Sequence, residues 1–138
     1  LQGFKSLLSS PKIAAIYTLD APFMSVTIYH NPRCSKSRET LNLLQSKNIE
    51  PSVVEYLKTP LSHEQISTLV SQLGFNSARD LMRTKEEQYK ALNLKDENSE
   101  SVLIDAMVEN PKLIERPIVV NNNKAALGRQ PENVLSVL

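Results

Sequence analysis

The strongest constraint on the fold is a short pattern near the start of the chain. Ser25-Val26-Thr27-Ile28-Tyr29 is β-branched and aromatic and reads as a strand. A loop, His30-Asn31-Pro32-Arg33-Cys34, comes next, and Pro32 forces an irregular path through it. Ser35 to Lys47 then has helical spacing, with Leu41 and Leu44 on one face and Asn48 at its end. Val53-Val54-Glu55-Tyr56 reads as a second strand. Strand, helix and strand at these lengths predict a βαβ unit with parallel strands and a right-handed crossover.

The middle of the chain is helical in pattern. Ser62 and Gln65 have capping-box spacing, opening a helix that runs to Leu73 and stops at Gly74. Shorter helices are expected over Ala78–Met82 and Lys85–Ala91. A further one is expected over Ser99–Glu109, with Val102, Ala106 and Glu109 on one side and Leu103 and Met107 alongside. Pro117-Ile118-Val119-Val120 reads as a strand, Asn121-Asn122-Asn123 as a turn, and Lys124–Leu127 as the returning arm of a hairpin. Pro131 opens a last short helix over Glu132–Val137. The expected class is α/β: a small mixed sheet with flanking helices and a helical insertion.

Composition narrows the function. With 138 residues, one domain can bury a real core without staples. The formal net charge of +1 supplies no general field for nucleic acid or an anionic membrane. No run approaches the roughly 18 apolar residues of a spanning helix. The chain has one cysteine, Cys34, so no intramolecular disulfide can form; one Cys with His30 and His63 also disfavours a four-ligand zinc site. Residues 1–23 differ in texture from the chain beyond the first methionine, Met24. They read as an extension, either added at expression or from an upstream start, with a native appendage packed on the domain as the rival reading. The domain proper is expected over 24–138.

Cys34 lies where a strand-exit loop meets a helix N-terminus. The first amides of that helix have no intrahelical partners, and the helix dipole is positive there. Both stabilise a thiolate. Arg33, Lys36 and Arg38 add positive charge, His30 would add more when protonated, and Ser35 and Ser37 can donate hydrogen bonds to sulfur or to an oxyanion. A single cysteine is otherwise most often a small buried apolar residue. Flanking Arg, Ser, Lys, Ser and Arg are not core-like, which favours a reactive thiolate. His63 reads as a surface residue at a helix start. Ser37 stands where a Cys-x-x-Cys motif would need its second cysteine, which excludes an internal dithiol cycle. Thr40 stands where a Cys-x5-Arg phosphatase loop would need its arginine.

The segment His30-Asn31-Pro32-Arg33-Cys34-Ser35-Lys36-Ser37-Arg38-Glu39-Thr40-Leu41 resembles the active-site segment of the glutaredoxin-coupled arsenate reductase family. Glu115-Arg116-Pro117-Ile118-Val119-Val120 and Gly128-Arg129-Gln130-Pro131 resemble its second and third signatures. Ala78-Arg79-Asp80-Leu81-Met82-Arg83 resembles its arginine-bearing mid-chain helix. The match covers essentially Met24 to Leu138. The resemblance implies a thioredoxin-like core and Cys34 as nucleophile. It implies that Arg83, Arg116 and Arg129 bind the oxyanion and intermediates, with His30 and Ser37 stabilising the thiolate and a cis bond before Pro117. It further implies arsenate as substrate, glutathione as co-substrate, glutaredoxin as partner, no bound cofactor, no metal and a cytoplasmic setting. Taken singly, each arginine has a plainer reading as a surface charge or a helix-end cation. Arg33, Lys36 and Arg79 read as helpers or surface residues, and Lys85-Glu86-Glu87 and Lys95-Asp96-Glu97 as solvated faces.

Two other functions fit the same features. One keeps Cys34 reactive toward glutathione mixed disulfides or another oxyanion. The other is a non-enzymatic adaptor that binds RNA polymerase, as Spx-type regulators do, although those often carry the Cys-x-x-Cys switch that Ser37 rules out here.

Overall fold

The computed structural model describes residues 26–138. Ser25, the expected boundary at Met24 and the extension over 1–23 lie outside the described residues. The βαβ unit is present: strand β1 (Thr27–Tyr29), helix α1 (Ser35–Ser46) and strand β2 (Ser52–Val54). β1 and β2 pair in parallel, Ile28 opposite Val53. Strands β3 (Ile118–Asn121) and β4 (Lys124–Leu127) form an antiparallel hairpin, and β3 pairs antiparallel with β1. The sheet order is β2-β1-β3-β4, a mixed sheet. Asn122 takes a positive φ of 59° in the two-residue turn, a conformation asparagine tolerates better than most residues.

Strand alternation splits the core in two. Val26, Ile28 and Val119 face α1 and the 3₁₀ segment Pro131–Val137, where Leu44 and Val134 meet them. Ile118 and Ala125 face the other way, onto α2 (His63–Gln72) and α4 (Glu100–Glu109), through Ile66, Leu69, Leu103 and Met107. Between those helices lie a 3₁₀ turn over Ala78–Leu81, helix α3 (Glu87–Ala91) and a 3₁₀ turn over Leu94–Asp96.

The capping box of α2 is complete. The Gln65 amide donates to Ser62 Oγ at 3.1 Å, and the Ser62 amide donates to Gln65 Oε1 at 2.8 Å. Gly74, at φ 75°, ends the segment after α2. Ser62→Ala is expected to cost about 1 kcal/mol of unfolding free energy, read as a shift in urea midpoint at unchanged slope.

Several boundaries and faces differ from the sequence reading. The second strand leaves the ladder at Val54, because the Glu55 carbonyl turns to accept from the Lys58 and Thr59 amides. Helix α1 buries Ser37, Thr40 and Leu44, while Leu41 is half-buried. In α4 the buried face is Leu103, Ile104 and Met107; Val102 and Glu109 face solvent. Periodicity locates the helix, but the stripe that packs is set by the neighbouring α2. The last helix is 3₁₀ over its whole length, anchored by buried Val134. Among the described residues, no helix is long and apolar enough to cross a membrane.

Candidate active site

Cys34 is the N-cap of α1, in extended conformation at φ −95° and ψ 124°. Its own amide donates to the Asn31 carbonyl at 3.0 Å, which closes the loop behind it. Burial pushes the thiol pKa up, but the opposing influences prevail and the net shift is downward. They are the Ser37 amide donating to sulfur, the charge of Arg116, the Lys36 amide and a hydrogen bond from the Arg116 guanidinium. The helix start thus supplies two backbone donors and β3's approach supplies a cation. Cys34 is part-exposed, so the sulfur can be reached.

His30 and Ser37 form a buried pair behind the loop. His30 Nδ1 lies 2.7 Å from Ser37 Oγ, and the same oxygen accepts the Asn31 amide at 3.0 Å. Burial lowers the His30 pKa from its ordinary 6.5, Glu55 pulling it up and Arg38 pushing it further down. The shift favours the neutral ring over the imidazolium. Ser37 reaches the sulfur through its backbone amide, while its hydroxyl braces the loop. Arg33 and Lys36 are exposed, and Arg38 donates to the Pro32 carbonyl at 2.8 Å, another brace of the same loop.

The three arginines fall into two groups. Arg116 stands against Cys34, ahead of a cis Arg116–Pro117 bond, and its Nε is buried with no hydrogen-bond partner. Arg83 and Arg129 line a neighbouring cleft of about 320 Å³ with Asp80, Met82, Thr84, Lys85 and Glu115. There Arg83 pairs with Glu86 at 2.9 Å, and Arg129 lies 3.7 Å from Glu115. Glu86 is thus a partner of Arg83 and not part of a solvated run.

Tyr56 joins the two groups. It is 2% exposed, and its phenol pKa is pushed up to about 12 by burial, against the pull of Arg116 and then Arg83, with Cys34 and Glu115 adding to the rise. It stays protonated at any physiological pH and keeps an O–H to donate. In the sequence Tyr56 reads as a strand residue; no local spacing marks it as a neighbour of Arg116, far along the chain. Arg79 has a different place from the one suggested by its neighbours. Its guanidinium donates to Tyr89 Oη, the Leu94 carbonyl and the Glu97 carbonyl at 3.1, 2.7 and 2.6 Å, so it ties the insertion together. His63 is part-exposed and pairs with Asp105 at 2.7 Å, away from the cysteine loop. Among the described residues no cluster of three or more His, Cys, Asp or Glu is placed to hold a metal ion.

Residues 29–137 match the ArsC family. The chain is 61% identical over 114 residues to the uncharacterized protein YfgD of Escherichia coli (strain K12), covering 82% of this chain and 96% of that one. It is 50% identical over 116 residues to the arsenate reductase of Haemophilus influenzae, covering 83% of this chain and all of that protein. Among solved structures, the arsenate reductase from Vibrio cholerae superposes with a TM-score of 0.81 at 57% identity, over 83% of this chain and 98% of that one. The mixed sheet with its flanking helices is the thioredoxin-like arrangement, and the chain belongs to the ArsC family.

Proposed function

We propose that the protein reduces arsenate to arsenite through Cys34, with glutathione and glutaredoxin as external reductants. The observation that carries this is the setting of the sulfur: a part-exposed thiol with a lowered pKa, held by two helix amides and by Arg116. The same features that stabilise a thiolate favour an incoming tetrahedral oxyanion.

The Cys34 thiolate attacks arsenic. An S–As bond forms, an As–O bond breaks, and the oxygen leaves as water after taking up protons; arsenic remains pentavalent. A first external thiol then displaces a second oxygen as water and binds arsenic. A second attacks that thiol's sulfur, so that a disulfide leaves and the electron pair of the broken S–As bond reduces arsenic to the trivalent state. Water finally cleaves the Cys34 S–As bond, freeing arsenite and the thiolate. One arsenate and two thiols give one arsenite, one disulfide and one water. Arg116 holds the oxyanion beside the sulfur, its buried unpaired Nε supplying a donor. Arg83 and Arg129 bind the adduct from the cleft by exchanging Glu86 and Glu115 for arsenic oxygens. Tyr56 donates its O–H between them. His30 and Ser37 position the loop, and Pro117 sets Arg116 against the sulfur. No bound cofactor takes part, and a lone reactive thiol suits a reducing compartment, the cytoplasm.

The test is arsenate-dependent NADPH oxidation with glutathione, glutaredoxin and glutathione reductase. Steady turnover is expected for the native chain and none above background for Cys34→Ser. Turnover that survives Cys34→Ser would refute the assignment.

A further inference from the structure

Thr40 is buried at 0% exposure on α1, six residues after the cysteine. Its hydroxyl donates to the Lys36 carbonyl at 2.8 Å and has a second acceptor, the Gly128 carbonyl, at 3.4 Å. Gly128 in turn donates its amide to the Pro117 carbonyl at 2.8 Å. Gly128 lies between two functional neighbours, since Arg129 follows it and its partner Pro117 follows Arg116. The contact is tight: a Cβ at position 128 would sit 2.5 Å from Thr40 Oγ1 and 2.8 Å from Pro117 Cγ. Gly128 does not use a positive φ, so glycine is required there for close approach and not for backbone freedom.

These contacts form one chain from the helix that bears the cysteine to the segment that bears the arginines. We infer that Thr40 is a positioning residue: packed against Gly128, which itself bonds Pro117, its hydroxyl sets the distance between the N-terminus of α1 and Arg116. Thr40 touches neither sulfur nor substrate. It acts by holding two rigid elements in register, as a second layer behind an oxyanion site must. The Lys36 carbonyl it bonds belongs to the first turn of α1, the turn whose amides face the sulfur. The catalytic part of this inference rests on the arsenate reductase reading; the geometric part does not.

The experiment follows thiol alkylation by iodoacetamide against pH in Thr40→Val, Thr40→Ser and Gly128→Ala, without arsenate. Val keeps the shape of Thr and removes the hydroxyl; Ser keeps the hydroxyl. Thr40→Val and Gly128→Ala are expected to move the alkylation midpoint upward by about half a pH unit, slowing alkylation by about threefold at pH values below the native midpoint. Thr40→Ser is expected to stay near the native profile. With arsenate, kcat is expected to fall in Thr40→Val and to recover in Thr40→Ser. A lowered Tm in Thr40→Val and Gly128→Ala with both alkylation profiles unchanged would overturn the inference and leave Thr40 a packing residue. Should Thr40→Val not fold, Gly128→Ala decides alone, because it perturbs the same contact from the other side. A shifted profile in a protein that does not reduce arsenate supports the positioning role and sinks the substrate assignment instead.

Discussion

Arg116→Ala is expected to lower kcat/KM for arsenate by about 10² to 10³, the usual cost of removing one preorganised donor from an oxyanion site. The same substitution should move the Cys34 alkylation profile to higher pH, because the guanidinium lowers the thiol pKa both by its charge and by a direct hydrogen bond. The sign is set by the form the cation favours. Arg116 stabilises the thiolate, so without it the proton is held to higher pH. The depressed pKa also contributes to folding stability above the ordinary thiol pKa, and that contribution is lost as pH falls through the folded value. Arg116→Lys separates charge from fork: it should restore much of the alkylation profile and little of the arsenate turnover. An unshifted profile in Arg116→Ala would show that the helix amides suffice for the thiolate. Stopped-flow alkylation from about pH 5 to 10, spanning the ordinary thiol pKa, and the coupled NADPH assay measure the two effects.

Arg79→Ala is expected to cost about 3 kcal/mol of unfolding free energy, with little direct effect on the thiol. One guanidinium closes the insertion, bonding Tyr89 Oη and the Leu94 and Glu97 carbonyls, and hydrogen bonds to a charged donor contribute roughly 1.5–3 kcal/mol each before solvent replaces some of them. The turn that carries Arg79 is held from outside as well: Glu100 accepts the Ala78 amide at 2.6 Å and the Ser77 hydroxyl at 2.7 Å. Chemical denaturation should show the loss, and Arg79→Lys should recover only part of it, since an ammonium cannot span the three acceptors. Since Arg83 lies just past the 3₁₀ turn that holds Arg79, loosening the insertion should weaken arsenate binding before it alters the sulfur. A KM that rises more than kcat falls is the expected signature, and equal alkylation profiles for Arg79→Ala and the native chain would confirm that the cysteine loop is independent of the insertion.

The sequence alone determined the local frame. The β-branched run at Thr27–Tyr29, the proline-bearing loop and the 3.6-residue period after Cys34 are short-range signals, and backbone sterics and capping chemistry act over those same distances. Hence the βαβ unit, the capping box at Ser62 and Gln65, the hairpin around Asn122, and the place of Cys34 at a helix N-terminus are all legible in the residues themselves. Periodicity cannot say which stripe of α4 packs, because that depends on where α2 lies. It cannot separate Arg79 from Arg83, which share a segment and a charge, yet one turns inward to carbonyls and the other faces the cleft with Glu86. Nor can it place Tyr56 among Arg116, Arg83 and Cys34, or assign the hydroxyl of Ser37 to the loop and its amide to the sulfur. Those are decisions of tertiary structure. Electrostatic coupling and hydrogen bonding act through space over a few ångströms, and only the folded chain brings residues tens of positions apart within that range.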